Sequence, residues 1–240
     1  MNGSRDTSSS SRVATDWSDL ARRYSELAES RYALVFPVVR AILRDAGAKT
    51  VLDFGCGDGR LLREALDSGE LKQAVNYDVA EGMYQLASAA TIGRPRLRAV
   101  RSLANVEPGS MDAVTNVAVW MCQPTEDACD AMLQEIFALL RPGGHLLAAV
   151  THPCFRWEEF STFKTDFHRR DYNRSGTSFR VTLHDNACEV AVTDTHWNLQ
   201  DMTRQLHRSG FLVIHLHEIP DIPDTGPCPW LIIHAQRGGG

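Results

Sequence analysis

VLDFGCGDGR, residues 51–60, sets an apolar run directly before three glycines at alternate positions, Gly55, Gly57 and Gly59, with Asp53 and Asp58 beside them. The run reads as a short buried strand, and "DGRLLREALDSG" after it has helical spacing with a glycine stop. In an open α/β sheet, ligands bind beyond the carboxyl ends of the strands, so a glycine loop between strand and helix marks a ligand site. Glycine there permits positive φ and removes side chains that would block a ligand. The spacing is not that of a dinucleotide loop, because Arg60 stands where that fingerprint wants its third glycine, and no G-K-[ST] ending is present to reach a triphosphate. The flanking aspartates suit a cationic ligand better than a polyphosphate.

Outward from this loop the strand–helix alternation repeats. "KQAVNYD" reads as a second strand, followed by a helix from about residue 80 to 90; "RLRAVR" is a third strand and "MDAVTNVAV" a fourth. "EDACDAMLQEIFALL" carries Leu, Ile and Phe on one helical face, and "RPGG" turns the chain into "HLLAAVTH", a fifth strand. Such alternation predicts an α/β, Rossmann-like, doubly wound and mostly parallel sheet with helices on both faces. Before it, residues 16–48 read as two capping helices, with Asp16 as N-cap of the first and Gly47 ending the second. Residues 1–15 form a serine-rich polar stretch, read as a disordered tail without the apolar core of a secretion signal. Residues 49–240 then form the α/β domain. Within it, 155–196 breaks the pattern: "SFRVTLHDNACEVAVTD" has two alternating segments around Asp185 and Asn186, a β-hairpin inside an insertion after strand five. "NLQDMTRQLHRSG" is a helix, and "FLVIHLHEI" and "PWLIIHAQ" are the last strands of a seven-stranded sheet.

Composition narrows the partners. The chain has 240 residues, 43% of them hydrophobic, enough for one full core, and its net charge of −5 gives no electrostatic reason to bind nucleic acid. No apolar run approaches the roughly 18 residues that span a bilayer. The six cysteines include no C-x-x-C pair, which points to reduced thiols and a cytoplasmic setting.

"VLDFGCGDG" resembles the first motif of class I S-adenosylmethionine-dependent methyltransferases, and the resemblance continues in order through "VNYDVAEGMYQLA", "MDAVTNVAVWM", "LLRPGGHLLAAV" and "LHRSGFLVIHLHE". It implies S-adenosylmethionine as cofactor, with S-adenosylhomocysteine as product. It further implies that Asp53 orients the loop and meets the donor's amino group, and that Gly55, Cys56 and Gly57 let the backbone approach. By the same resemblance Asp78 takes the ribose hydroxyls, Val79 and Met83 flank adenine, and Asn116 lies under the donor at the end of the fourth strand. Asp78, which precedes a helix, also reads as an N-cap. The family often has an acidic residue after strand three for the adenine amino group. This chain has Arg101 and Ser102 there, leaving Ser102 and the Leu103 backbone to read the ring.

The resemblance also implies a lid of N-terminal helices, where Trp17, Tyr24 and Tyr32 lie, the two tyrosines eight residues apart on one helix face. His152, beyond the end of strand five, and His196, before the next helix, are candidate bases because an imidazole exchanges protons near neutral pH; each also reads as a structural hydrogen-bonding group. Tyr24 joins them as a candidate catalytic residue. Trp120, Phe155, Trp157 and Trp197 are expected to wall a flat acceptor. No carboxylates end strands four and five, so a catechol-type metal site is not expected. Cys122 lacks the neighbouring proline of RNA cytosine enzymes. A small, aromatic or heteroaromatic (indole-like) acceptor, methylated at C, N or O, is therefore the reading, as in bacterial specialised metabolism. A macromolecular acceptor such as a protein or transfer RNA, or a non-catalytic sensor of the donor, stay open. So does a homodimer.

Overall fold

The computed structural model describes residues 15–185, 188–222 and 226–239, so residues 1–14 of the expected tail and Asn186 of the expected hairpin lie outside it. In chain order the elements are α1 (Trp17–Tyr32), α2 (Val35–Asp45), β1 (Thr50–Phe54), α3 (Arg60–Asp67), β2 (Gln73–Tyr77), α4 (Glu81–Ala89), β3 (Leu97–Val100), β4 (Met111–Val117), α5 (Glu126–Leu139) and β5 (Leu140–Thr151). There follow β6 (Phe163–Thr165), β7 (Thr177–His184), β8 (Glu189–His196), α6 (Leu199–Arg208), β9 (Phe211–Ile219) and β10 (Trp230–Arg237). Local chemistry sets the boundaries. Asp16 Oδ1 accepts from the Ser18 and Asp19 amides to cap α1, and Asn198 Oδ1 accepts from Asp201 N to cap α6. Gly47, at φ +67°, ends α2 in the left-handed conformation that glycine adopts without strain.

The main sheet runs β3-β2-β1-β4-β5-β10-β9. β1 pairs in parallel with both β2 and β4, and the order reverses between them, so the loop after β1 opens at a switch point. The central strands are buried on both faces (β4 from Ala113 to Val117, β5 from Leu146 to Thr151), as a sheet covered on both sides requires. The sequence reading did not give the place of the last strand: β10 inserts antiparallel between β5 and β9. The "RPGG" residues lie within β5, where Met111 pairs with Leu140 and Ala113 already with His145, so the extra residues bulge out.

The insertion forms its own antiparallel sheet, β6-β7-β8. β7 and β8 are the expected hairpin, in register from Thr177 opposite His196 to His184 opposite Glu189, and the short β6 is a third strand that the pattern did not reveal. Thr15 is tied to this sheet, accepting from the Thr193 amide at 2.9 Å.

α1 crosses α4 at Gly82, where an added Cβ would lie 2.4 Å from the Ser18 carbonyl oxygen and 3.0 Å from the Ala21 Cβ. Gly82→Val is expected to push α1 off the body, costing about 1–3 kcal/mol as overpacking does, or roughly 2–4 °C of melting temperature per kcal/mol at this size. Differential scanning calorimetry, with trypsin cleavage at Arg22 and Arg23 as the local reporter, checks it; an unchanged melt and cleavage pattern would show that the contact is not tight.

Candidate active site

All three loop glycines have positive φ (+77°, +56° and +74°), but they leave out a side chain for different reasons. A Cβ on Gly55 would meet Val119 Cγ2 at 2.4 Å, and one on Gly59 would meet the buried Asn76 Nδ2 at 2.3 Å. Only Gly57 has nothing within 4 Å, so only there does the missing side chain open space. The Gly55 and Cys56 amides donate to the Tyr77 carbonyl, at 2.8 and 3.0 Å, and fold the loop back over the end of β2.

Asp78 closes the arrangement. Its Oδ2 accepts from Gly57 N and its Oδ1 from Ala80 N, each at 3.0 Å. Ala80, not Asp78, is the N-cap of α4, so the carboxylate ties the glycine loop to the α4 approach and keeps lone pairs for a ligand. Asp53 is buried at the end of β1 and accepts from Thr115 Oγ1 at 2.7 Å. Burial, opposed by that bond and reinforced by Asp78 and Asp58, pushes its pKa up to about 7.

Loop, aspartates and lid line one cavity of about 380 Å³. Its donor end is Asp53, Gly55, Cys56, Gly57, Asp58, Asp78, Val79 and Met83. The cavity is also lined by Trp17, Tyr24, Tyr32 and Phe36 from the N-terminal helices and by Cys122, Gln123, Ser178, Thr193 and Thr195. Trp17 meets Tyr24 edge-on at 5.1 Å, Tyr32 stacks on Phe36 at 4.9 Å, and the two tyrosyl hydroxyls hydrogen-bond each other. Ser25 Oγ donates to Asp58 Oδ2 at 2.9 Å and pins α1 across the loop.

Several expected residues lie elsewhere. Successive side chains of a strand point to opposite faces; Thr115 reaches Asp53, so its neighbour Asn116 points to Met132 on α5, away from the cavity. Ser102 accepts from Ala104 N to cap a short turn, and neither it nor Leu103 lines the cavity. His152 accepts from Cys154 N at Nδ1 and donates from Nε2 to Glu218 at 2.9 Å. His196 accepts from Arg156 at Nδ1 and donates from Nε2 to the Tyr172 carbonyl, while burial and Arg156 lower its pKa to about 4. Both imidazoles are engaged in hydrogen bonds at both nitrogens, and neither lines the cavity. Trp120 is buried with its Nε1 on Gln205, Phe155 packs on His152, and Trp157 carries Arg169 at 5.6 Å, so none of the three lines the cavity. Trp197 donates to the Gln123 carbonyl and positions that wall from behind. The residues missed are Phe36, Gln123, Ser178, Thr193 and Thr195. The alternation of β7 and β8 puts Ser178, Thr193 and Thr195 on one face, a signal present in the sequence once the hairpin's inner face is known. Among the described residues no group of three or more His, Cys, Asp or Glu is arranged to hold a metal ion.

A family model described as a methyltransferase domain matches residues 52–148, which include the glycine loop and Asp78. The fold is similar to an S-adenosylmethionine-dependent methyltransferase from Clostridium acetobutylicum (TM-score 0.66, 12% identity, 91% of this chain and 99% of that one). It is also similar to the 1,6-didemethyltoxoflavin-N1-methyltransferase of Burkholderia thailandensis, solved with 1,6-didemethyltoxoflavin and S-adenosylhomocysteine (TM-score 0.59, 18% identity, 95% and 93% covered). A third likeness is to a chain from the complex between the Haloferax volcanii Trm112 methyltransferase activator and a methyltransferase (TM-score 0.64, 17% identity, 95% and 99% covered). No curated protein matches the chain. The end of the cavity at the glycine loop fits a cationic donor such as S-adenosylmethionine: the open side of Gly57, a carboxylate with spare lone pairs at Asp78, and three acids.

Two outcomes follow for donor binding. Asp78→Ala should weaken S-adenosylhomocysteine binding by roughly tenfold or more, the scale of lost charge-assisted hydrogen bonds; calorimetric titration reads it, and unchanged affinity would remove Asp78 from the site. Between the ordinary carboxylate range and about pH 7, the folded apo chain keeps a proton on Asp53 that the unfolded chain has released, so this group subtracts stability as pH rises through that window. A cationic donor prefers the ionised form. Its affinity should rise from pH 6 to 8 with proton release, and Asp53→Asn should flatten that rise.

Proposed function

We propose that this chain, which carries a class I S-adenosylmethionine-dependent methyltransferase domain, transfers the methyl group to a small, flat aromatic or heteroaromatic acceptor, at C, N or O, by in-line displacement. The observation that supports this most is the covered cavity: the donor end continues into a space walled by four aromatic rings and roofed by α1 and the β7–β8 sheet. Flat rings stack on such walls, and a volume of this order is that of a small-ligand site. Asp53 and Asp78 hold the donor, while Trp17, Tyr24, Tyr32 and Phe36 align the acceptor. The bound cofactor supplies an electrophilic methyl on a sulfonium with its own leaving group, so the protein's part is alignment and exclusion of water. Tyr24, with its hydroxyl in the wall, orients the acceptor's polar atom. The likeness to an enzyme bound to 1,6-didemethyltoxoflavin agrees with such an acceptor. Six cysteines without a C-x-x-C pair, all free, support a cytoplasmic setting.

A macromolecular acceptor recruited through a partner is the second reading, favoured by the likeness to a chain solved with an activator protein. Incubation with methyl-labelled S-adenosylmethionine and three acceptor pools (phenolic and N–H heteroaromatic compounds, bulk transfer RNA, cell protein) separates the two. Label in the small-molecule fraction is the expected result; label only in RNA or protein would overturn it. His152→Asn and His196→Asn should lower the melting temperature yet keep turnover within roughly tenfold, since a lost general base costs 10²–10⁴.

A further inference from the structure

Methyl transfer to an O–H or N–H group requires that the group lose its proton, and the acceptor end of the cavity offers no free base. His152 and His196 have both nitrogens hydrogen-bonded. Burial pushes the Tyr24 and Tyr32 hydroxyls and the Cys122 thiol upward, so all three are neutral there. The carboxylates of the cavity, Asp53, Asp58 and Asp78, belong to the donor end.

What lies behind the tyrosines is positive charge. Arg31, in the last turn of α1, is 4% exposed, and its guanidinium sits 5.7 Å from the Tyr32 ring centre and 5.0 Å from that of Trp230. Its Nε and Nη1 have no hydrogen-bond partner. Its charge pulls both tyrosyl hydroxyls toward ionisation, against burial, while at the Cys122 thiol the Asp194 carboxylate outweighs it. Arg156, also buried, donates to the carbonyls of Thr195 and Thr151. Asp194 is the buried carboxylate that faces both arginines, so two cations and one anion leave a net positive charge on this side. Two hydroxyls that share one hydrogen bond have one O–H proton left over to donate. Thr195, a residue only 5% exposed, lines the same cavity and brings its hydroxyl there.

We propose that the acceptor is an acidic O–H or N–H compound that binds and reacts as its anion, held by the spare tyrosyl proton and the Thr195 hydroxyl against the charge of Arg31. The inference rests on the small-molecule reading and names the acceptor's chemical class. The acceptor's proton leaves to solvent on binding. A lone pair of the anion then forms the bond to the methyl carbon, and the electrons of the breaking carbon–sulfur bond stay on sulfur. Anion and sulfonium become two neutral products. Arg31 acts through Tyr32 and is a positioning residue.

The test uses 4-nitrophenol, whose anion absorbs in the visible, and 4-nitrotoluene, which cannot ionise, each titrated into protein saturated with S-adenosylhomocysteine. Nitrophenolate should be retained roughly tenfold more tightly than nitrotoluene, and the bound phenol's ionisation should move down by about one pH unit or more, as beside an opposite charge. Arg31→Lys should keep the shift and Arg31→Met lose it, with S-adenosylhomocysteine affinity unchanged in both. Should Arg31→Met fail to fold, Tyr32→Phe takes its place, with phenolate retention expected to fall about threefold or more for the loss of one hydrogen bond. No preference for the phenolate, including no retention of either probe, overturns the proposal, as does a preference that survives Arg31→Met, or Tyr32→Phe where that stands in. Failure of the wild-type protein to bind S-adenosylhomocysteine would instead strike the methyltransferase reading itself.

Discussion

The site depends on one carboxylate held by two backbone amides. Asp78 accepts from Gly57 N and Ala80 N, and so joins the loop after β1 to the start of α4, two stretches that the parallel pairing of β1 and β2 brings side by side. A carboxylate bonded by N–H groups is fixed in orientation before any ligand arrives. Ligand hydroxyls then meet lone pairs already aimed, at little further cost in ordering. The glycine loop in turn owes its path to the Tyr77 carbonyl, which accepts two successive amides. Sheet pairing, loop shape and ligand geometry are therefore one hydrogen-bonded unit.

Charge is distributed unevenly along the cavity. Three aspartates crowd the donor end, and their mutual repulsion adds to burial in raising Asp53. Such crowding is unfavourable in the empty protein and becomes favourable when a cation enters. Behind the tyrosines lie two buried arginines and one buried aspartate, outside the cavity lining.

Much of the donor end was legible in the sequence because its determinants are local. Alternate glycines, an acidic residue ending the second strand and the cap at Asp16 are read from a few neighbouring residues. The acceptor end was not, because there the outcome depends on which way a strand residue points and what lies across from it. Asn116 and Thr115 are adjacent, yet only Thr115 faces Asp53. His152 and His196 have the chemistry of bases, but their protons go to Glu218 and to the Tyr172 carbonyl, partners far away in sequence. Trp120 and Trp157 are aromatic enough to wall a pocket and are instead held by Gln205 and covered by Arg169. Composition identifies such residues; only tertiary pairing assigns them.

The same logic explains the one strained backbone position among non-glycine residues described. Ala118, just past β4, has φ +59°, a conformation that costs a residue with a Cβ roughly 1 kcal/mol. Its amide is fixed on the Ala149 carbonyl of β5, and its carbonyl accepts from the Cys122 thiol. This turn delivers Val119 into the space that Gly55 leaves empty. Glycine at 55 and the strained alanine at 118 are thus two halves of one contact, made between loops more than sixty residues apart. The contact packs the turn after β4 against the glycine loop, and both line the cavity wall. Strain kept at such a place is offset by the packing it permits. Relaxing the turn would withdraw Val119 and separate the glycine loop from the wall that carries Cys122 and Gln123, and so loosen the alignment on which an in-line displacement depends.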